Sequence, residues 1–287
     1  MDIGEKIKRI RTAKLMTQKE LAGSEITRNM LSRIENGAAL PSISTVHYIA
    51  KRLNVSPGFL LAGEDDEWLY FKSAEMNNIK QAYTDKNFRL CRDMCKNSEW
   101  IDDETNLILA ECCLRVGIEE FYKGYLHSSV EYFDEALLCC DATIYNTDVI
   151  CGEIAFYFSY MRMISPMLSS DVADESEITE KVVVKNDFCL YSYAFCNDVY
   201  EASLSQISED SSYWLHLSAK ALMIDGEYEQ SKELLHKLLF DDKYPMPEPM
   251  LYFVFCDLEI CCKETGDFKG AYEYSGNKVD LLQKLLN

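Results

Sequence analysis

Thr17-Gln18-Lys19-Glu20-Leu21-Ala22-Gly23-Ser24-Glu25-Ile26-Thr27-Arg28-Asn29-Met30-Leu31-Ser32-Arg33-Ile34-Glu35-Asn36-Gly37 is the stretch that decides the fold. Thr17 and Glu20 have the spacing of a capping box, in which hydroxyl and carboxylate satisfy the orphan amides at a helix start. Gly23 ends that short helix after Ala22. Thr27 is the next N-cap, and Asn36-Gly37 closes the helix it opens, with Met30, Leu31 and Ile34 on the core side. Upstream, Ile3, Ile7, Ile10, Leu15 and Met16 recur at roughly helical spacing. Downstream, Pro41-Ser42 restarts the chain for a helix carrying Val46, Ile49, Ala50 and Leu53. Ser56-Pro57, a cap followed by proline at the first helical position, opens a last turn through Phe59, Leu60 and Leu61. Residues 1–63 thus read as five short helices, 64–67 as an acidic linker, and 68–287 as a second domain.

The chain carries a net charge of −19, but the sum conceals a division. Residues 1–63 hold ten Lys or Arg against five acids, a net of +5, which leaves −24 for the remainder. A basic head suits phosphate neutralisation, and an acidic body is one that nucleic acid repels; the alternative is that the acid serves only to keep a Tyr- and Cys-rich body soluble.

From Trp68 onward the periodicity is helical, and one pattern repeats. Gly124-Tyr125-Leu126, Gly226-Glu227-Tyr228 and Gly266-Asp267-Phe268 each place a glycine before a helix, with a small residue five positions later (Ser129, Ser231, Ala271). The first two glycines lie 102 residues apart, three times the 34-residue period of tetratricopeptide helix pairs. Lys86-Asn87-Phe88 is a degenerate member; residues 145–210 hold helices that the pattern leaves unassigned, and Ser169 to Asp187 reads as irregular loop or short helix. The fold class expected is all-α, a five-helix N-terminal domain followed by an α-solenoid of tetratricopeptide-like helix pairs.

Twelve cysteines occur without a CxxC and with only four histidines, so they read as small core residues rather than a metal or disulfide framework. With no secretory or transit segment at the start, a cytoplasmic protein with reduced thiols is expected. No run of apolar residues is long enough to span a membrane. Phosphate-loop, zinc-protease, nucleophile-elbow and kinase motifs are all missing, and His47, His127, His216 and His236 stand in no triad setting. No enzyme activity, cofactor or metal is expected.

Two helices joined as Gln18–Ala22 and Arg28–Glu35 are suited to a helix-turn-helix, in which one helix crosses the DNA backbone and the next enters the major groove. Gln18 opens the second helix with an amide that both donates and accepts. Arg28, Asn29, Ser32 and Arg33 lie on the outward side of the third, with Thr27 at its start. Arginine reads guanine and asparagine reads adenine through paired hydrogen bonds.

Ile7, Arg11, Thr17-Gln18-Lys19-Glu20-Leu21-Ala22, Thr27-Arg28, Leu31-Ser32-Arg33-Ile34-Glu35-Asn36-Gly37 and Pro41-Ser42 together resemble the phage-repressor-like (XRE, Cro/CI) helix-turn-helix family. The resemblance implies that Gln18, Arg28, Asn29 and Arg33 approach DNA while Arg11 and Glu35 form an internal ion pair. The turn between Ala22 and Thr27 is one residue shorter than in the phage repressors. Such a head on a repeat body resembles the Rgg, PlcR and PrgX group of peptide-sensing regulators, which implies a homodimer and a short quorum-sensing peptide held on the concave face. Asn106 and Asn197 are the implied backbone-holding residues, with Tyr160 and Tyr193 beside them. A body that only dimerises or recruits another protein, with no small ligand, is the alternative.

Overall fold

Both threonines of the deciding stretch cap as their positions require. Thr17 Oγ1 accepts from the Glu20 amide at 3.1 Å, and Glu20 Oε2 accepts from the Thr17 amide at 2.7 Å. Thr27 Oγ1 accepts from the Met30 amide at 3.1 Å. The computed structural model describes residues 2–63, 67–170 and 186–287. Among these residues it contains helices and no strand, and it divides into two compact units, residues 1–80 and 81–287.

The first unit contains α1 (Ile3–Ala13), α2 (Gln18–Ala22), α3 (Arg28–Glu35), α4 (Ile43–Leu53), α5 (Pro57–Leu61) and the larger part of α6 (Glu67–Thr84). Ile7, Leu21, Leu31, Ile34, Ile49 and Leu53 are buried to 1 % exposure or less at its centre. Each contributes roughly 1.5–3 kcal/mol relative to exposure. Helix α1 stops before the apolar stripe does. Leu15 is 91 % exposed at φ +56°, and the Met16 amide closes the helix by donating to the Arg11 carbonyl at 3.0 Å. The left-handed turn directs Leu15 to solvent although its spacing matches the stripe.

The acidic stretch marks a change of charge rather than of packing. Phe59 makes edge contacts with Tyr70 and Phe71 at 5.7 and 5.6 Å, so the start of α6 packs on α5, and the division between units falls after Lys80. Residues 64–66 of the expected linker lie outside the described residues. Lys6 is fully buried, its ammonium donating to the Phe59 and Ala62 carbonyls at 3.3 and 2.5 Å, which ties α1 to the end of α5.

The second unit contains α7 (Phe88–Lys96), α8 (Asp103–Tyr122), α9 (Leu126–Asp141), α10 (Asp148–Ile164), α11 (Asp187–Cys196), α12 (Tyr200–Leu204), α13 (Ser212–Ile224), α14 (Tyr228–Phe240), α15 (Glu248–Glu264) and α16 (Phe268–Leu285). Its turns repeat in detail. Gly124, Gly226 and Gly266 adopt φ of +81°, +80° and +80°, a left-handed conformation that glycine enters without a Cβ penalty. The next residue in each case, Tyr125, Glu227 or Asp267, caps the following helix with ψ of 71°, 55° or 72°. Lys86 and Asn87 repeat the geometry at φ +57° and ψ 70°.

Asp198 and Val199 repeat it again, at φ +56° and ψ 56°, before Tyr200 begins α12. This member has no glycine and was not visible in the sequence pattern. The residue five positions after each turn is small and buried throughout: Cys91, Ser129, Ser203, Ser231 and Ala271. Ser129 and Ser231 hydroxyls each donate at 2.9 Å to a carbonyl twelve residues earlier, Gly117 and Ala219, fastening the second helix of a pair to the first. A strict 34-residue period would put a turn at residue 158, but Phe158 is buried within α10. The intervening turn falls at 198 instead. Residues 171–185 of the expected irregular stretch lie outside the described residues, and Asp187 begins α11.

Aromatic rings fill the interior of this unit. Phe188 of α11 stacks on Tyr157 at 4.2 Å and meets Phe121 and Tyr160 edge-on at 5.2 and 5.5 Å. Phe253 of α15 meets Tyr160 and Phe195 at 5.2 and 4.7 Å. Such pairs add about 0.5–1.5 kcal/mol each beyond their burial.

Candidate nucleic-acid interface and sensor surface

Helix α3 owes its fixed position to one buried carboxylate. Glu35, with a side chain 1 % exposed, receives Arg11 Nε on Oε1 at 2.7 Å and Arg11 Nη2 on Oε2 at 3.0 Å. Arg11 Nη1 donates to the Met16 carbonyl at 2.8 Å, and Gln18 Nε2 donates to Glu35 Oε2 at 2.8 Å. Helices α1, α2 and α3 therefore meet on one planar fork. The hydrogen bond with Glu35 raises the Arg11 pKa above its ordinary value, keeping the guanidinium charged.

With Leu31, Ile34 and Glu35 turned inward, the advance of about 100° per residue turns Asn29, Arg33 and Asn36 outward. Arg28, Asn29 and Arg33 are exposed and Ser32 is half-buried on the flank nearer Glu35. Thr27 spends its hydroxyl on the cap, and Gln18 spends one N–H on Glu35, leaving its carbonyl oxygen and second N–H. Met30 corrects the expectation of a core residue. It is 36 % exposed, because it sits about a quarter-turn from the inward line. Asn36, read in the sequence only as a helix stop, shares the outward face.

The four body residues separate. Tyr160 is fully buried, its hydroxyl 3.1 Å from that of Tyr191, so it offers no surface to a ligand in this structure. The Tyr191 hydroxyl lies 2.7 Å from His216 Nδ1, His216 Nε2 lies 3.0 Å from Asp257 Oδ2, and Lys220 Nζ lies 3.0 Å from Asp257 Oδ1. This chain of polar groups crosses α10, α11, α13 and α15 inside the aromatic core. Burial pushes the Tyr160 and Tyr191 phenols well above their ordinary range, which keeps both protonated. Asn106 donates from Nδ2 to the Ala142 carbonyl at 2.8 Å, joining the start of α8 to the end of α9.

Tyr193, in the last turn of α11, and Asn197, which caps the end of that helix, stay together, with Tyr193 54 % exposed and Asn197 Nδ2 donating to the Tyr193 carbonyl at 2.8 Å. Next to Asn197 opens a cleft of about 380 Å³ lined by Val199, Ala202, Ala221 and Ile224, with Asp198 and Glu201 as its carboxylates. Lys220, paired with Asp257, lies over the ring of Tyr200 at the same place. Sequence spacing gave no sign of this cleft, because the turn that forms it lacks the glycine of its relatives.

Residues 7–60 match the family model described as helix-turn-helix. No curated protein matches the chain. Among solved structures the chain is similar to PlcR of Bacillus thuringiensis in complex with the peptide PapR7 and DNA, at 17 % identity over 98 % of this chain and 95 % of that one, with a TM-score of 0.26. It is also similar to ComR from S. thermophilus in complex with DNA and its signalling peptide ComS, at 13 % identity over 98 % and 99 %, with a TM-score of 0.27. The SHP pheromone receptor Rgg2 of Streptococcus dysgalactiae aligns at 12 % identity over 97 % and 99 %, with a TM-score of 0.20. The capped α2–turn–α3 unit, the Arg11–Glu35–Gln18 fork and the family match together make residues 7–60 of this chain a helix-turn-helix domain.

Proposed function

We propose that the chain is a cytoplasmic, sequence-specific DNA-binding transcription regulator rather than an enzyme, and that its helical body dimerises and receives a short signalling peptide. The observation that carries the first half is the exposed face of α3, where Arg28, Asn29 and Arg33 stand on a helix fixed by the buried Glu35. Phosphate contacts from the basic head give affinity, and these three side chains give base preference. Ser32 and the remaining polar atoms of Gln18 flank them.

The body supports the sensor reading through Tyr193, Asn197 and the adjoining cleft, which together offer an amide, an exposed ring, apolar walls and two carboxylates. That chemistry suits an extended peptide with apolar or basic side chains. One observation favours the rival reading, a body that only dimerises or recruits a partner: the aromatic core occupies the space between α8, α10, α11 and α15. No helix of the described residues is long and apolar enough to cross a membrane.

The test of the first half is duplex selection from a random library by the full chain. A dimer of heads should select a two-fold sequence with half-sites one helical turn, or a multiple, apart. Asn29→Ala and Arg33→Ala should each cost about 1–3 kcal/mol on the selected duplex and relax base preference at the lost contact. Equal losses on selected and scrambled duplexes would show that α3 does not read bases.

A further inference from the structure

Helix α16 carries an apolar face that, among the described residues, no element of its own chain covers. Phe268 is 74 % exposed, Tyr272 83 % and Val279 48 %. With an advance of about 100° per residue, these three positions fall within roughly 40° of one another and form one stripe. Ala271 and Leu285, the buried residues of the helix, lie on another side and hold it to the body.

Gly276 is exposed beside the stripe, and a Cβ placed there would meet nothing within 4 Å. Its own chain therefore does not require glycine at this position, although glycine inside a helix is destabilising relative to alanine. Gly226 and Gly266 have equally open surroundings, but their φ of +80° accounts for them, whereas Gly276 lies in the middle of a regular helix. We propose that this face of α16 is where two copies of the chain join, with the two helices antiparallel and crossing close to Gly276. The proposal rests on the reading of the body as a dimer and gives that dimer its surface.

Charge selects a second copy as the occupant. The body carries −24, so two bodies repel each other over most of their surface. Helix α16 departs from that balance, with Lys269, Lys278 and Lys284 against Glu273 and Asp280. Lys278 and Lys284 are committed to Glu259 and Glu248 of α15. Lys269 Nζ lies 3.7 Å from Glu273 Oε1 with both side chains exposed, a pair that water weakens. Lys269 and Asp280 stand 11 residues apart, about three turns, and so share one flank of the stripe. An antiparallel copy that sets Lys269 against the partner's Asp280 also sets Asp280 against the partner's Lys269, so one register makes two ion pairs. The midpoint of that register falls between Tyr274 and Ser275, less than a turn from Gly276, where the missing side chain lets the two backbones approach.

The area is adequate. Phe268 and Tyr272 from both copies make four rings, which bury about 150–250 Å² each when covered. That is roughly half of the 1,200–2,000 Å² that a stable interface buries, and Val279 and the stems of the flanking lysines add to it.

The test is sedimentation equilibrium of the full chain at micromolar concentration, with the helical content of each variant followed by circular dichroism. Wild type should be a dimer. Tyr272→Glu and Gly276→Leu should each give a monomer of unchanged helicity, since both positions are open in a single copy. Lys269→Glu and Asp280→Lys should each weaken the dimer by about tenfold or more, because each sets like charges against each other. The two reversals combined should restore it, since the pairs re-form with opposite sign. A monomeric wild type overturns the dimer reading and this surface with it. A dimeric wild type whose Tyr272→Glu and Gly276→Leu variants stay dimeric overturns the surface and leaves the dimer reading standing. A double reversal no tighter than the single ones overturns the antiparallel register.

Discussion

Asp257→Ala is expected to lower the stability of the body by about 3–5 kcal/mol, the cost of removing one partner from a buried charged network. Asp257 is 3 % exposed, and it takes Lys220 on one oxygen and His216 on the other. Lys220 is partly exposed and can turn to water. His216 is fully buried and cannot, so its Nε2 is left without a partner in an aromatic core. The loss should appear in hydrogen exchange as faster opening of α13 and α15, the two helices that the network joins, with the amides of α3 unchanged. Asp257→Asn keeps hydrogen-bonding capacity at that position and should lose much less. Equal protection of α13 in wild type and Asp257→Ala would show that the network contributes little.

The second large effect lies in the head. Arg11→Ala leaves Glu35 buried with a single hydrogen bond, from Gln18, and should destabilise the head by about 3–5 kcal/mol. Replacing both partners, Arg11→Met with Glu35→Leu, removes the stranded charge and should recover most of the loss. Arg28→Ala, on the exposed face, should stay within about 0.5 kcal/mol of wild type in the same assay. Hydrogen exchange across α1 and α3 reads all three. A double variant no more stable than Arg11→Ala would place the damage in lost packing around the guanidinium instead.

These two networks show where sequence reading succeeds and where it stops. Caps are local: Thr17, Thr27, Ser42 and Ser56 each bond an amide three residues on, so a short window contains the whole interaction. The repeat was legible for the same reason, since Gly124, Gly226 and Gly266 announce a left-handed turn by residue type. Asp198 takes that turn without the glycine, which hid both the α11–α12 pair and the cleft beside it.

The Arg11–Glu35 contact spans 24 residues and was legible only through family resemblance. His216 to Asp257 spans 41 residues, and neither side chain signals the other in sequence. Tyr160 illustrates the opposite error, an aromatic that spacing could not distinguish from a surface ring and that packing placed in the core. Gly4 carried a signal that residue type alone did not explain. A Cβ there would stand 2.0 Å from the Ile34 carbonyl oxygen, so glycine is what lets α1 lie against the end of α3.

The most direct test of the central claim, a DNA-reading head governed by a ligand-receiving body, is the affinity of the full chain for its selected duplex. It is measured with and without cell-free culture medium of the source organism, for wild type and Asn197→Ala. A ligand shifts this equilibrium only by its difference in affinity between two shapes of the body. A coupling of about 1–3 kcal/mol corresponds to a change of roughly 5- to 150-fold. The account predicts a shift in that range for wild type, its loss in Asn197→Ala, and equal basal affinity for both. No shift with any fraction of the medium, while selective binding to the duplex persists, would contradict the sensor and leave a body that serves dimerisation or partner recruitment.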